Sequence, residues 1–332
     1  MKHILVTGGA GYIGSHTVLE LQKLGYYPVV IDSLIKGHKE AVLGGEIIHA
    51  DIGNREELLK VFHRYKIDAV IHFAAFSEVG ESVSNPQKYY HNNIVNSINL
   101  LDVMVEMDVK KIVFSSSAAV YGEPSSIPIT EDEATNPTNP YGKTKLIFEK
   151  ILQDYEKAYG VRHMCLRYFN AAGADPEGRI GEDHSPESHL IPLILQVAQG
   201  QRDAIFIFGT DYDTDDGTCV RDYIHVNDLA SAHILALEAL QSGKSSGYYN
   251  LGNGNGHSVL EVIKATREVT GCEIVYKTGS RRPGDPARLV ASSEKIKSEL
   301  NWHPKYNDLH TIISHAWNWC KTHPKGYNGN AQ

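Results

Sequence analysis

The stretch Ile4-Leu5-Val6 runs through Thr7 straight into Gly8-Gly9-Ala10-Gly11-Tyr12-Ile13-Gly14, and a helical pattern opens near Ser15. A strand that turns through glycines into a helix is the opening unit of a doubly wound α/β sheet, and few other folds accept it. Gly8, Gly11 and Gly14 recur every third residue. In such a loop one glycine permits the tight turn, one lets the backbone approach a pyrophosphate, and one lets helix and sheet pack closely. The helix N-terminus adds unpaired N–H groups and a positive dipole for the anion. No Gly-Lys-Ser/Thr follows, which argues against a nucleoside-triphosphate loop. Asp32 ends the second apolar run, where a carboxylate binds the adenosine ribose hydroxyls and repels a 2′-phosphate. The loop therefore reads as a site for NAD rather than NADP.

The alternation continues. Val29-Val30-Ile31, Ala69-Val70-Ile71 and Ile112-Val113-Phe114 are apolar on both faces, as parallel strands covered by helices must be. Helical stretches fall around 15–24, 55–64 and 87–107. The spacing predicts a Rossmann-type doubly wound parallel sheet over 1–170, with part of 222–250 returning to it. After residue 170 the rhythm breaks into Gly, Asp and Pro, with scattered strand signals at Ala204–Phe208, Tyr248–Leu251 and Glu273–Tyr276. Ser258 and Glu261 have capping-box spacing. A smaller mixed α/β substrate lobe over 171–332 is expected, with ligands in the cleft between the two.

Charge and cysteines narrow the partners. The formal net charge of −8 argues against nucleic acid, which wants a clustered basic face. It leaves room for a phosphorylated ligand, because a few Arg and backbone N–H groups suffice. Cys165, Cys219, Cys272 and Cys320 are far apart, with no Cys-x-x-Cys and no paired Cys/His ligand spacing, so reduced thiols and no metal are expected. Neither a signal peptide nor a run of about 20 apolar residues is visible, which predicts a cytoplasmic protein without a membrane span.

Two further segments carry chemistry. Asn139-Pro140-Tyr141-Gly142-Lys143-Thr144-Lys145 reads as a helix start, with Asn139 at the N-cap and Pro140 at the first helical position. Tyr141 and Lys145, four apart, share a face. A free tyrosine is only about 0.1% phenolate at pH 7, and bringing its pKa near neutrality takes about 4 kcal/mol. An ammonium, a helix N-terminus and a cationic nicotinamide ring would all push that way. Ser115-Ser116-Ser117 closes the fourth strand signal, at the carboxyl end where open sheets hold their ligands.

Glycine loop, Asp32, serine run and Tyr/Lys pair, in this order, resemble the extended short-chain dehydrogenase/reductase family, and the likeness is closest to its nucleotide-sugar epimerases. The matching stretches also include His72–Ala75, Val79–Ser82, Tyr168–Asn170, Arg221–His225 and Arg281–Asp285. The resemblance implies that Ser117 hydrogen-bonds the reacting oxygen, that Tyr141 is the acid/base, and that Lys145 tunes it and contacts the cofactor. It places Gly8, Gly11, Tyr12, Ile13, Gly14, Asp32, Ser33, Asp51, Ile52, Phe73, Ala74, Asn92, Ser115 and Tyr168 on a tightly held NAD. A UDP-sugar would be held by Asn170, His189, Leu190, Arg221, Tyr223, Arg282 and Asp285, together with Ser117 and Tyr141. Leu289 would border the sugar's 2-substituent. Ser77 and His189 depart from the family's usual Lys and Asn.

The implied activity is reversible C4 epimerisation of UDP-glucose and UDP-galactose through a 4-keto sugar. The alternatives are another nucleotide-sugar epimerase or a 4,6-dehydratase. A dehydratase usually carries an Asp-Glu pair where Ala118 and Ala119 stand. A non-catalytic NAD-binding protein is the third reading, which the intact Ser/Tyr/Lys set opposes. Excess apolar residues at helical spacing in 90–105 and 147–159, together with the resemblance, imply a homodimer.

Overall fold

The computed structural model describes residues 1–282 and 285–327, so Pro283 and Gly284 of the Arg281–Asp285 stretch lie outside the described residues. Its main layer is a sheet of seven strands: β1 (His3–Thr7), β2 (Tyr27–Asp32), β3 (Glu46–His49), β4 (Ile67–His72), β5 (Lys111–Ser117), β6 (Arg162–Tyr168) and β10 (Gly247–Leu251). Their order is β10-β6-β5-β4-β1-β2-β3, with every pair parallel.

Helices cover both faces of this sheet: α1 (Tyr12–Lys23) and α8 (Val226–Gln241) on one, and α2 (Arg55–Arg64), α5 (Asn96–Glu106) and α6 (Pro140–Tyr159) on the other. The strand period of two assigns each residue its side. Ile4, Val6, Val30 and Ile71 pack with Val18 of α1 and Leu237 of α8. Leu5, Val29, Ile31 and Val70 pack with Leu58 of α2, Leu100 of α5 and Phe148 of α6. Consecutive burial leaves no place for a polar residue, so the runs are unbroken. Each fully buried Ile or Leu contributes roughly 1.5–3 kcal/mol.

The strand order reverses at β1, and the crevice lies there. The amides of Phe73 and Ala74, just past β4, both donate to the Thr7 carbonyl, at 2.9 and 3.1 Å. That contact brings the glycine loop and the loop after β4 side by side at the carboxyl edge of the sheet.

A short helix α3 (Val79–Ser84) precedes the expected helix over 87–107, which is divided into α4 (Pro86–Tyr90), a π-helical turn (His91–Val95) and α5. The cause is Asn93. Its amide group accepts from Phe76 N at 2.9 Å and donates to Phe76 O and Thr144 Oγ1 at 3.0 and 3.1 Å. A widened turn lets this side chain leave the regular helix and clamp the loop after β4 to α6. Helix α1 starts at Tyr12 rather than Ser15, with extended Gly11 as its cap.

The second lobe holds a small sheet centred on β9 (Val220–His225), with β7 (Asn170–Ala172) and β13 (Arg288–Leu289) parallel to it and β11 (Gly256–Ser258) antiparallel. A separate parallel pair joins β8 (Ile205–Phe208) and β12 (Tyr276–Gly279). Around them lie α7 (Leu190–Ala198), α9 (Val259–Thr270) and α11 (Leu309–Thr322), whereas α10 (Glu294–Leu300) returns to the large sheet, where Ile296 and Leu300 join the core beside β10 and α8. Ile194, Val262, Ile263 and Ile312 form the core of the second lobe. The capping box of Ser258 and Glu261 is present at the start of α9. The expected strand 248–251 is β10 and sits in the large sheet, beside β6.

Candidate active site

A cleft of about 770 Å³ runs between the lobes, along the carboxyl edge of the large sheet. Its lining includes Gly8, Gly11, Tyr12, Ile13, Gly14, Asp32, Ser33, Asp51, Ile52, Phe73, Ala74 and Asn92 at one end. Ser117, Tyr141, Lys145 and Tyr168 also line it, as do Asn170, His189, Arg221, Arg282, Asp285 and Leu289 from the second lobe.

The glycine loop is shaped by close approach. Gly8 has φ +72°, and a Cβ there would stand 2.6 Å from Ala74 N. A Cβ on Gly14 would stand 2.3 Å from Gly8 O. At Gly11 a Cβ would meet only Gly8 O, at 3.3 Å, so this backbone stays accessible from the cleft. Tyr12 donates its hydroxyl to Gly173 O at 2.6 Å and ties the loop to the second lobe.

Asp32 is buried, and its carboxylate accepts from Ala10 N and Leu34 N, both at 2.9 Å. Burial raises its pKa, while these two N–H groups oppose the rise. Lys36, a cation in the cleft lining that would welcome a 2′-phosphate, instead donates to Glu78 and to Ser185 O, both at 2.8 Å. The open glycine backbone and the buried acid at the end of β2 fit a dinucleotide with a free ribose.

The expected catalytic side chains gather where β5 meets α6. Asn139 caps α6, accepting from Gly142 N at 2.9 Å, with Pro140 as its first residue. Tyr141, Lys145 and Glu149 follow at intervals of four, all buried. Lys145 Nζ donates to Ser115 O at 2.8 Å and lies 5.8 Å from the centre of the Tyr141 ring. Burial lowers its pKa to about 7, with Glu149 pulling the other way.

Tyr141 departs from the expected depression. Burial raises its pKa, and the Ser117 hydroxyl beside it lowers it. Lys145 cannot do so alone, because its ammonium is itself disfavoured by the same dry surroundings. Behind the pair, Glu149 receives the Arg167 guanidinium in a two-pronged contact at 2.6 and 3.0 Å. Arg167 also donates to Tyr121 OH at 3.0 Å. His72 is held between Thr7 and Ser97, and burial drops its pKa to about 3, so it stays neutral.

The second lobe brings cations and apolar surface. Arg221 is engaged by Asp285 and by Pro286 O, and Arg282 lies over the Phe208 ring at 4.1 Å. Leu289 packs beside Val120, Tyr121, Ile129 and Phe169 at the cleft wall. Three residues assigned to ligands from the sequence are not among the lining. Ser115 is buried, with its hydroxyl on Tyr168 OH at 2.8 Å. Tyr223 follows Arg221 on one strand face but is buried in the second-lobe core, and Leu190 packs against that core from the first turn of α7. Conversely, Glu182, His184 and Ser188 line the cleft and were not singled out. The signal was two histidines and two glutamates within eight residues.

With this geometry in place, comparison with known proteins is decisive. Residues 4–252 match the model of the NAD dependent epimerase/dehydratase family. The chain belongs to that family. A UDP-glucose 4-epimerase of Halalkalibacterium halodurans is 59% identical over 98% of this chain and 97% of its own length. A crystal structure of UDP-glucose 4-epimerase from Brucella ovis with NAD has a TM-score of 0.94 at 48% identity, covering 96% of this chain and 98% of that one. One from Bifidobacterium longum with NAD⁺ and UDP has a TM-score of 0.93 at 40% identity, covering 98% and 100%. The epimerase/dehydratase fold accounts for the large parallel sheet, and the family's NAD dependence for the glycine loop at its switch point.

Proposed function

We propose that this chain interconverts UDP-glucose and UDP-galactose by reversible epimerisation at C4. The observation that carries this reading is the buried meeting of Tyr141, Ser117 and Lys145 at the carboxyl edge of the sheet, beside the glycine loop. The relatives reported above, which bear this activity in their names, support it. Gly8, Gly11, Gly14, Asp32 and the loop after β4 hold NAD. That cofactor would supply a reversible hydride acceptor for the sugar C4 and a cationic ring that favours the Tyr141 phenolate.

Tyr141 takes the proton of the sugar 4-hydroxyl onto its phenolic oxygen and gives it back at the end of the cycle. Ser117 holds that same sugar oxygen by a hydrogen bond. Lys145 keeps a positive charge near the phenolate. Arg221 and Arg282 take the diphosphate, since guanidinium forks match phosphate oxygens, and Arg221 exchanges its carboxylate partner to do so. The ring then turns while its anchor stays fixed. Elimination as in a 4,6-dehydratase needs further acids, and Ala118 and Ala119 supply none at the cleft.

The four free cysteines support a cytoplasmic site of action, and the exposed Val95, Ile147 and Tyr159 on or beside α5 and α6 support a homodimer. The decisive experiment follows UDP-galactose by NMR with the purified protein and no added reductant. Equilibration with UDP-glucose is expected. Steady release of NADH would mark a dehydrogenase instead.

A further inference from the structure

The segment 182–189 gathers four ligand-type side chains at one rim of the cleft. Glu182, His184, Glu187 and His189 each offer one nitrogen or oxygen, and these atoms all lie within 4.8 Å of one another. His184 Nδ1 lies 3.2 Å from Glu182 Oε1 and 3.7 Å from a Glu187 oxygen. His189 Nδ1 lies 2.9 and 3.0 Å from the same two carboxylates. A zinc ion with bonds of about 2.0–2.1 Å to nitrogen and oxygen spaces its tetrahedral ligands by roughly 3.3 Å. The four contacts straddle that value.

Distance alone would also suit two ion pairs, but the directions at Glu182 and His184 do not. Glu182 Oε1 and His184 Nδ1 have no hydrogen-bond partner, although each has opposite-type atoms close by. The Glu182 side chain is only 6% exposed, so water cannot easily make up the loss. His189 Nδ1 has hydrogen-bond geometry toward Glu187 Oε1 at 3.0 Å, but the buried Glu182 oxygen and His184 nitrogen converge without N–H and lone pair aligned, arranged around a shared point rather than toward one another. The surroundings fix the ligands: Ser188 N and His189 N donate to Glu187 at 2.7 and 2.8 Å.

We propose that Glu182, His184, Glu187 and His189 bind one divalent cation of the zinc class, with no role in the chemistry at C4. Two imidazoles and two carboxylates suit Zn²⁺, and the set closes without an open position, as structural sites do. The ion would staple a segment that already bridges the lobes. Asp183 O accepts from His38 and Ser185 O from Lys36 on the large-sheet side, while Leu190 opens α7 on the other. Because the imidazoles must be neutral to bind, the apparent affinity rises with pH.

The test uses the full-length holoenzyme, dialysed against a chelator and then titrated with Zn²⁺ alone, with uptake read by calorimetry and elemental analysis. One ion per chain is expected, together with a rise in the melting temperature of the unmutated protein. Co²⁺ should give the intense visible bands of a tetrahedral site, which Zn²⁺ abolishes. His184→Ala and Glu182→Gln should each weaken uptake by more than the roughly 10–100-fold typical of losing an outer-shell partner. Absence of uptake by the unmutated protein, uptake that both variants retain, or a weak octahedral Co²⁺ spectrum would overturn the assignment. None of these readouts depends on epimerase turnover, so they stand or fall apart from the proposed reaction.

Discussion

Removing the Tyr141 hydroxyl takes away the proposed proton acceptor and almost no volume. Tyr141→Phe should keep UDP-sugar binding and lose at least about 10²–10⁴-fold in kcat. Near-normal turnover would sink the mechanism. Lys145 makes a pH-dependent prediction of opposite sign to a usual salt bridge. Its folded pKa is about 7, below the roughly 10.4 of an unfolded lysine, so the cofactor-free folded protein binds fewer protons between those values. Stability therefore rises with pH across that window, and the cost of burying the ammonium is complete below it. Lys145→Met should melt later than the parent protein at pH 6, with the gap closing toward pH 10. A gap independent of pH would mean that the ammonium is not the cost. Leu289 is the expected gate on the sugar's 2-substituent. It lies at the cleft wall, so a 2-acetamido group should be crowded but admitted, at about 1–3 kcal/mol or 10–200-fold in kcat/KM. Leu289→Tyr should abolish slow turnover of UDP-N-acetylglucosamine and Leu289→Cys should raise it, with UDP-galactose turnover within a few-fold. Parallel movement of both substrates would remove Leu289 from that role.

Among the elements, the contact between α6 and the turn after β5 carries the site. A Cβ on Gly142 would stand 2.5 Å from Ala119 O, a backbone atom that cannot rotate away. Gly142→Ala must push the first turn of α6 off the Ser117 turn. A displacement near 1 Å at Tyr141 can cost about 10²-fold in kcat, while the glycine loop and its NAD are untouched. Loss of bound NAD in equal measure would show that the whole lobe, not this contact, had failed. The elements themselves differ in how far they were written in the sequence. The strands Ile4–Val6, Val29–Ile31, Ala69–Ile71 and Ile112–Phe114 were legible because both faces are covered, so burial leaves one composition. The cap at Asn139 and the helix it opens were legible because the N-cap chemistry is local. The break in 87–107 was not, since Asn93 leaves its helix for partners at Phe76 and Thr144, far along the chain. Tyr223 and Ser115 were assigned to ligands although they face protein, because which of two neighbouring polar residues reaches a cleft is decided by lobe packing. The Glu/His cluster was hidden for the same reason: with no cysteine and irregular spacing, only the fold of 182–189 converges its atoms.

At the scale of the whole molecule, the cleft residues named above all come from one chain, and the surface behind them is where a second copy would pack. Helices α5 and α6 lie side by side there, linked by Tyr155 OH to Asp102 at 2.5 Å. Val83, Val95, Ile147 and Tyr159, on or beside these helices, are exposed, Val95 by 54%. A monomer gains nothing from apolar side chains in water, whereas two copies packing these helices would bury them. Tyr141 and Lys145 lie on the buried face of α6, so an interface through Ile147 need not disturb them. The double variant Val95→Glu/Ile147→Glu would place unpaired carboxylates in that interface, at a cost that should weaken dimers by at least about 100-fold, or roughly 2.7 kcal/mol. Sedimentation at micromolar concentration should find the parent protein dimeric and the variant monomeric, with unchanged circular dichroism. Turnover per chain should persist in the variant, because the cleft needs no second copy. A parent protein that sediments as a monomer, or a variant that stays dimeric, would place the interface elsewhere or remove it.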